Sequence, residues 1–245
     1  MYPVLFHLGS LEITSFGVMV ALGALAGLWV FRRELLRAGL PDTALDAAVF
    51  GLLGGLLGAK LLYVFEHLHE SAFLPLFLDR GGMSWFGGFA GGLIAGIVTI
   101  RVRQWPLVPV LAAATPALAV GQMLGRVGCF LVGDDYGKPT SLPWGVAFPQ
   151  GLPPTLERVH PTQIYEAIFL AFLAWALIRW RRKGVADLAV LGRYFLIAGA
   201  FRFLLEFIRV NVRVLGPLTV AQISACGVAI LGAILMTRAR RRQAS

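Results

Sequence analysis

A chain of 245 residues with 58% hydrophobic and 14% charged side chains and a mean hydropathy of +0.75 is too apolar for a water-soluble domain, which is about 45–50% apolar and about a quarter charged. Two cysteines, Cys129 and Cys226, exclude a disulfide scaffold, and the apolar content excludes a disordered tail. The formal charge of +9 would suit nucleic acid in a soluble protein; in a polytopic membrane protein it marks basic cytoplasmic loops, and no nucleic-acid partner is expected.

The N-terminus has no basic stretch ahead of its first apolar run. That run, Phe16 to Phe31, ends on Arg32-Arg33 without a small-residue cleavage site, so it is expected to be a retained span and not a signal peptide. Seven apolar stretches are predicted as helices, in chain order roughly Ser15–Phe31, Leu45–Phe65, Met83–Ile100, Leu107–Val132, Thr162–Ala176, Leu188–Ile208 and Leu218–Thr237. Lipid offers nothing to satisfy an unpaired backbone, so each must close its own hydrogen bonds. Glycine-rich runs such as GLLGGLLGAK and GGFAGGLIAGI predict close helix packing. The fold class is therefore all-α: one integral membrane domain over 1–245 with seven transmembrane helices.

Between the second and third spans, HLHESAFLPLFLDRGG predicts a short interfacial amphipathic turn around Pro75. The long connection 133–161 is dense in Gly and Pro and predicts turns and short extended pieces forming a small periplasmic cap. With the N-terminus outside, thirteen Lys and Arg fall in inner loops and five in outer ones. The positive-inside rule then sets N-terminus out, C-terminus in.

An ionisable side chain inside a span costs about 2.5–3.5 kcal/mol on insertion scales, so each needs a partner or a purpose. Lys60 and Arg193 read as local pairs or snorkelling side chains. Arg126, Arg202, Glu206 and Glu166 cluster in the outer half of the predicted spans. Arg202 and Glu206 are four apart and able to pair on one helix face, with Arg209 following. Arginines converging there, with carboxylates behind them, predict a pocket for a phosphate-bearing lipid head group. His160 stands at a membrane entrance ahead of Gln163, Tyr165 and Glu166, and a helix places Gln163 and Glu166 on one side. His7, His67 and His69 read as solvated, and no metal-ligand spacing, nucleotide loop or hydrolase elbow is present, so neither a metal nor a cofactor is expected. Cys129 reads either as a small filler or as a reactive thiol beside Arg126; Cys226, in mid-span, reads as packing.

The segments GGMSWFGG, GRVGCFLVGDDYG, HPTQIYE and AFRFLLEFIR occur in an order that resembles the prolipoprotein diacylglyceryl transferase family over most of the chain. The resemblance implies a seven-helix enzyme of the bacterial inner membrane. Such enzymes move the diacylglyceryl group of phosphatidylglycerol onto the thiol of the acceptor cysteine in a prolipoprotein signal peptide, forming a thioether and releasing glycerol phosphate. By position, Arg126 and Arg202 match the family's two essential arginines. Gly137, His160, Gln163, Tyr165, Glu166, Glu206 and Arg209 match other motif positions. Phe86 stands where the family has a histidine proposed as base, Cys129 and Val132 stand for two asparagines, Asp134 for the signature acid, and Ala198 and Phe16 for two tyrosines.

The expected mechanism has Arg126 and Arg202 hold the phosphate and favour the thiolate, with His160 or Asp134 as proton acceptor. Cys129 lines the same pocket. An alternative reading keeps the lipid pocket and loses turnover; a transporter fits less well, because no inverted repeat is visible.

Overall fold

The structure, a computed structural model, describes residues 4–8, 11–79, 82–211 and 213–244. The elements in order are β1 (Val4–Leu8), β2 (Leu11–Thr14), α1 (Ser15–Arg37), α2 (Asp46–His67), α3 (Phe73–Leu78), α4 (Trp85–Val102), α5 (Leu107–Val132), β3 (Val146–Phe148), β4 (Thr155–Val159), α6 (Thr162–Arg182), α7 (Asp187–Leu205), β5 (Arg213–Leu215), β6 (Leu218–Thr219) and α8 (Val220–Ala244). Among the described residues seven helices are long and apolar enough to cross a membrane. The chain is a multi-pass, all-α membrane protein, as its apolar patterning predicts.

Three helices run well beyond the apolar stretches. α1 continues beyond Phe31 to Arg37, α6 beyond Ala176 to Arg182, and α8 beyond Thr237 to Ala244. Each extension carries arginines. Arginine is a good helix former, is favoured by the negative helix C-terminus, and reaches back over apolar neighbours. Arg33 lies over the Trp29 ring at 4.6 Å and Arg193 over Trp180 at 4.8 Å.

The chain forms two compact units, residues 35–110 and the remainder. In the first, α2 and α4 meet backbone to backbone: a Cβ added at Gly54 would stand 2.8 Å from the Gly91 carbonyl oxygen, and one at Gly58 3.0 Å from the Gly91 Cα. Glycine is what permits that approach, and the contact supplies the packing that lipid cannot drive by exclusion. Lys60, buried in α2, donates to the Asp79 carbonyl at 2.7 Å and the Gly82 carbonyl at 3.4 Å, holding the stretch after α3. The predicted turn around Pro75 is α3. His67 is only partly solvated, its ring stacked on Tyr63 at 4.2 Å.

In the second unit, α7 and α8 use the same device at Gly199 and Gly232, and α1 meets α5 at Gly23, where a Cβ would sit 3.0 Å from the Gly121 carbonyl oxygen. Leu170, Leu173, Ala174 and Leu177 of α6 pack with Ala119 of α5 and with Val190 and Tyr194 of α7. Arg181, only 5% exposed, joins the ends of three helices by pairing with Glu34 and Asp187, each at 2.8 Å. Cys226, expected to pack, is instead exposed on α8.

The connection 133–161 contains the antiparallel pair β3–β4, with Val146 opposite Val159 and Phe148 opposite Thr155. Phe148 is fully buried, stacked on Tyr136 at 5.4 Å and edge-on to Phe130 at 5.7 Å. That aromatic cluster anchors the connection to the end of α5.

Candidate active site

α5 ends at Val132, and Gly133, with φ +80°, turns the chain out of the helix while its N–H donates to the Cys129 carbonyl at 2.8 Å. A left-handed residue after the last helical turn favours glycine. Asp135 also has a positive φ, +60°, a conformation in which aspartate is one of the better tolerated side chains. Two residues of α6 hold this turn: Thr162 Oγ1 donates to the Asp135 carbonyl at 2.8 Å, and Gln163 Nε2 donates to the Asp134 carbonyl. Gln163 is wholly buried, and its role here is to grip backbone.

Held in this way, Asp135 bridges two arginines. Its Oδ2 lies 2.8 Å from Arg126 Nη1 and its Oδ1 2.6 Å from Arg209 Nη2. Glu166, one turn into α6, places Oε2 2.9 Å from Arg126 Nε. Arg202 and Glu206 form the predicted (i, i+4) pair at 2.6 Å, and Arg209 Nε stands 3.8 Å from the same Glu206 oxygen. The result is one unbroken alternation: Glu166, Arg126, Asp135, Arg209, Glu206, Arg202. Arg126 and Arg202 are thus joined through three intervening charges, not through direct contact.

Arg209 is the unusual member. It follows α7 and a 3-10 turn (Glu206–Ile208) in extended backbone, so it does not continue the helix face of Arg202. Its Nε and Nη1 are buried without a hydrogen-bond partner, as are Asp134 Oδ1 and Gln163 Oε1. An orphaned buried polar group costs about 1–3 kcal/mol, so two donors left open on one guanidinium fit a site made to receive an anion.

Gly137 explains itself sterically. Its N–H donates to the His160 carbonyl at 2.9 Å, and its backbone bridges Arg209. A Cβ there would stand 2.6 Å from the Ile208 carbonyl oxygen, 2.8 Å from Thr162 Cγ2 and 2.9 Å from His160 Cβ. Three segments cross at this point, and only glycine lets them.

His160 and Tyr165 form a separate group: His160 Nδ1 is 3.3 Å from the Tyr165 hydroxyl, which accepts from Trp144 Nε1 at 2.8 Å. Cys129 is buried with Sγ 3.9 Å from Arg126 Nη1. Cys129, Asp134 and Asp135 offer three ligand atoms within 4.8 Å of one another. Both Asp135 oxygens are already engaged by guanidinium groups, however, and two positive charges beside the cluster suit a divalent cation poorly. Asp135, Trp144, Asn211 and Thr219 were not singled out by sequence; Asp135 and Asp134 are adjacent, and only the turn decides which faces the arginines.

The two aspartates respond oppositely to this setting. Burial opposes the Asp135 charge, but Arg209 and Arg126 outweigh it and hold the carboxyl below the ordinary range. Burial raises Asp134, and the neighbouring Asp135 charge adds to the rise. A depressed carboxylate stabilises the fold fully above its unfolded pKa of about 3.9 and loses that contribution as pH falls through the folded value. Asp135→Asn is therefore expected to unfold at lower temperature than wild type at neutral pH; because the Asp135 side chain is 45% exposed, solvent screens its pairs and the loss is about 1 kcal/mol. The gap should hold constant down to about pH 5 and close on further acidification. Melting curves of both proteins in detergent across that range measure it; a gap independent of pH would contradict the assignment.

The sequence matches the family described as prolipoprotein diacylglyceryl transferase over residues 3–238. It is 38% identical to a phosphatidylglycerol–prolipoprotein diacylglyceryl transferase of Clostridium tetani, with 85% of this chain and 86% of the relative covered. It is 37% identical to the protein of that name in Geobacter sulfurreducens, over 98% of this chain and 96% of the relative, and 32% identical to that in Methylococcus capsulatus, over 99% and 97%. With the matched residues spanning nearly all of the chain, and three of the four motifs supplying one set of ion pairs, the chain belongs to the prolipoprotein diacylglyceryl transferase family.

Proposed function

We propose that this protein transfers the diacylglyceryl group of phosphatidylglycerol to the thiol of the acceptor cysteine in exported prolipoproteins. The observation that carries the proposal is the alternation of three arginines and three carboxylates that links the family's motif positions, with open donors on Arg209. A phosphodiester head group carries one negative charge, and guanidinium groups present paired donors matched to its oxygens.

The acceptor thiolate attacks the terminal glyceryl carbon, a C–S bond forms, and the bond from that carbon to the phosphate oxygen breaks. Glycerol phosphate leaves with the electron pair. Negative charge grows on the departing phosphate, and guanidinium groups fixed beforehand by carboxylates stabilise it without reorganising. In this reading Arg126 and Arg202 hold the phosphate, with Arg209 beside them and Glu166 and Glu206 orienting the forks. The thiol must also lose its proton, which from a pKa of about 8.5 costs roughly 2 kcal/mol at neutral pH, and nearby arginines lower that cost. Asp134 fits the proton acceptor better than His160. Its Oδ1 is buried and unpartnered and its affinity for a proton is raised, whereas His160 Nδ1 shares a hydrogen bond with Tyr165.

The site lies in this reading at the periplasmic leaflet of the inner membrane, with the N-terminus outside and 133–161 as a cap. The excess of arginine and lysine in the loops on the other side supports that orientation. Prolipoproteins expose their acceptor cysteine at the same face, next to an apolar signal segment.

The test is direct. Purified protein with phosphatidylglycerol and a synthetic signal peptide bearing the acceptor cysteine should release glycerol phosphate and add one diacylglyceryl mass to the peptide. A peptide with serine in place of the cysteine should stay unmodified. Binding of phosphatidylglycerol with no release would instead establish a lipid-binding relative that has lost turnover through Phe86, Ala198 and Phe16.

A further inference from the structure

Glu206 is also held by residues outside the four segments named above. Its Oε2 faces Arg202, while its Oε1 accepts from Asn211 Nδ2 at 2.6 Å and from Thr219 Oγ1 at 2.7 Å. Glu206, Thr219 and Gln222 are all buried. Thr219 precedes α8 and makes a reciprocal cap with Gln222: the Thr219 N–H donates to Gln222 Oε1 at 3.1 Å and the Gln222 N–H donates to Thr219 Oγ1 at 3.2 Å. This is the T-x-x-Q arrangement that closes the first turn of a helix.

A hydroxyl has one proton. Because Thr219 Oγ1 accepts from the Gln222 N–H, its proton is free to point at Glu206, and an ionised carboxylate can only accept it. An (i, i+4) pair alone holds a carboxylate loosely. Here the start of α8 and the loop residue Asn211 fix one oxygen, which leaves the other aimed at Arg202.

We propose that Thr219 and Asn211 are positioning residues for the transfer reaction, acting through Glu206 to set the Arg202 guanidinium, so that the beginning of α8 is part of the active-site framework. The proposal rests on the reading of Arg202 as a ligand of the departing phosphate.

Substitutions at Thr219 separate this role from helix capping. Serine both caps and donates. Aspartate is among the best caps but has no proton to give and sets a like charge against Glu206. Valine does neither. In the glycerol phosphate release assay on the full-length protein, Thr219→Ser should keep kcat within about threefold of wild type, while Thr219→Asp and Thr219→Val lower it by roughly tenfold or more, as expected for a lost hydrogen bond to a charged group. KM for phosphatidylglycerol should change much less. Asn211→Ala, which leaves the cap untouched, should lower kcat in the same direction and covers the case of a Thr219 variant that fails to fold. A Thr219→Asp protein as active as Thr219→Ser would show that only the cap matters and would overturn the proposal, as would wild-type kcat in both Thr219→Val and Asn211→Ala. Arg202→Ala, run alongside, tells the two levels apart: inactive Arg202→Ala with active Thr219 and Asn211 variants removes the positioning role alone, and fully active Arg202→Ala removes the reading of Arg202 with it.

Discussion

Arg126→Ala and Arg202→Ala are each expected to lower kcat/KM for diacylglyceryl transfer by about 10²–10³-fold, the loss of about 2.7–4 kcal/mol seen when one preorganised donor to a developing anion is removed. The geometry argues for an effect of that size at both ends of the ion-pair chain. Arg126 is fixed by Asp135 at 2.8 Å and Glu166 at 2.9 Å, and Arg202 by Glu206 at 2.6 Å. Donors restrained in this way add stabilisation when charge appears, because no reorientation remains to be done. The fall should be mainly in kcat, since the phosphate of the intact lipid already carries one charge in the ground state and gains the second only as the bond to carbon breaks. Lysine at either position should recover little of the loss, because a point charge lacks the planar fork that can serve a carboxylate and a phosphate together. Single-turnover release of glycerol phosphate reads the effect directly.

Glu206→Ala should be the most damaging carboxylate substitution. Glu206 takes a hydrogen bond from Arg202, Asn211 and Thr219 and stands beside Arg209. Removing it leaves Arg202 without its carboxylate and Arg209 with Asp135 alone, and breaking a buried pair from one side costs up to about 3–5 kcal/mol. Both a lower melting temperature in detergent and loss of transfer are expected. Glu206→Gln keeps the shape and one acceptor oxygen but turns an NH₂ toward a donor, so it should fall between wild type and alanine in stability while remaining nearly inactive. Normal stability and activity in Glu206→Ala would contradict the arrangement.

The seven spans were legible because lipid imposes a simple rule: long apolar runs close their own backbone hydrogen bonds. Their basic ends were less so, since the apolar run stops at Phe31 or Ala176 while the helix goes on through arginines. The (i, i+4) spacing made the Arg202–Glu206 pair readable, and Gln163 and Glu166 reach neighbouring partners, the Asp134 carbonyl and Arg126. Asp135 escaped because it depends on a left-handed residue after a helix end, which nothing in GDDYG distinguishes from its neighbour. Arg209 escaped in part as well: helical phase carried it along the Arg202 face, but a 3-10 turn and extended backbone swing it to Asp135. Thr219 lay unremarked at the start of the last predicted span, and its hydroxyl proton meets Glu206 through tertiary structure alone. Cys226 shows the limit of hydropathy in a span, which does not tell a packed face from an exposed one.

A double-substitution cycle on Arg126 and Arg202 puts the question of one shared anion most sharply. If a single phosphate engages both guanidinium groups, losing one disables the other, and Arg126→Ala/Arg202→Ala should be little worse in kcat/KM than the poorer single variant. Losses that multiply, so that the double variant falls by the product of the two single effects, would mean that the arginines act on separate groups and would contradict the account.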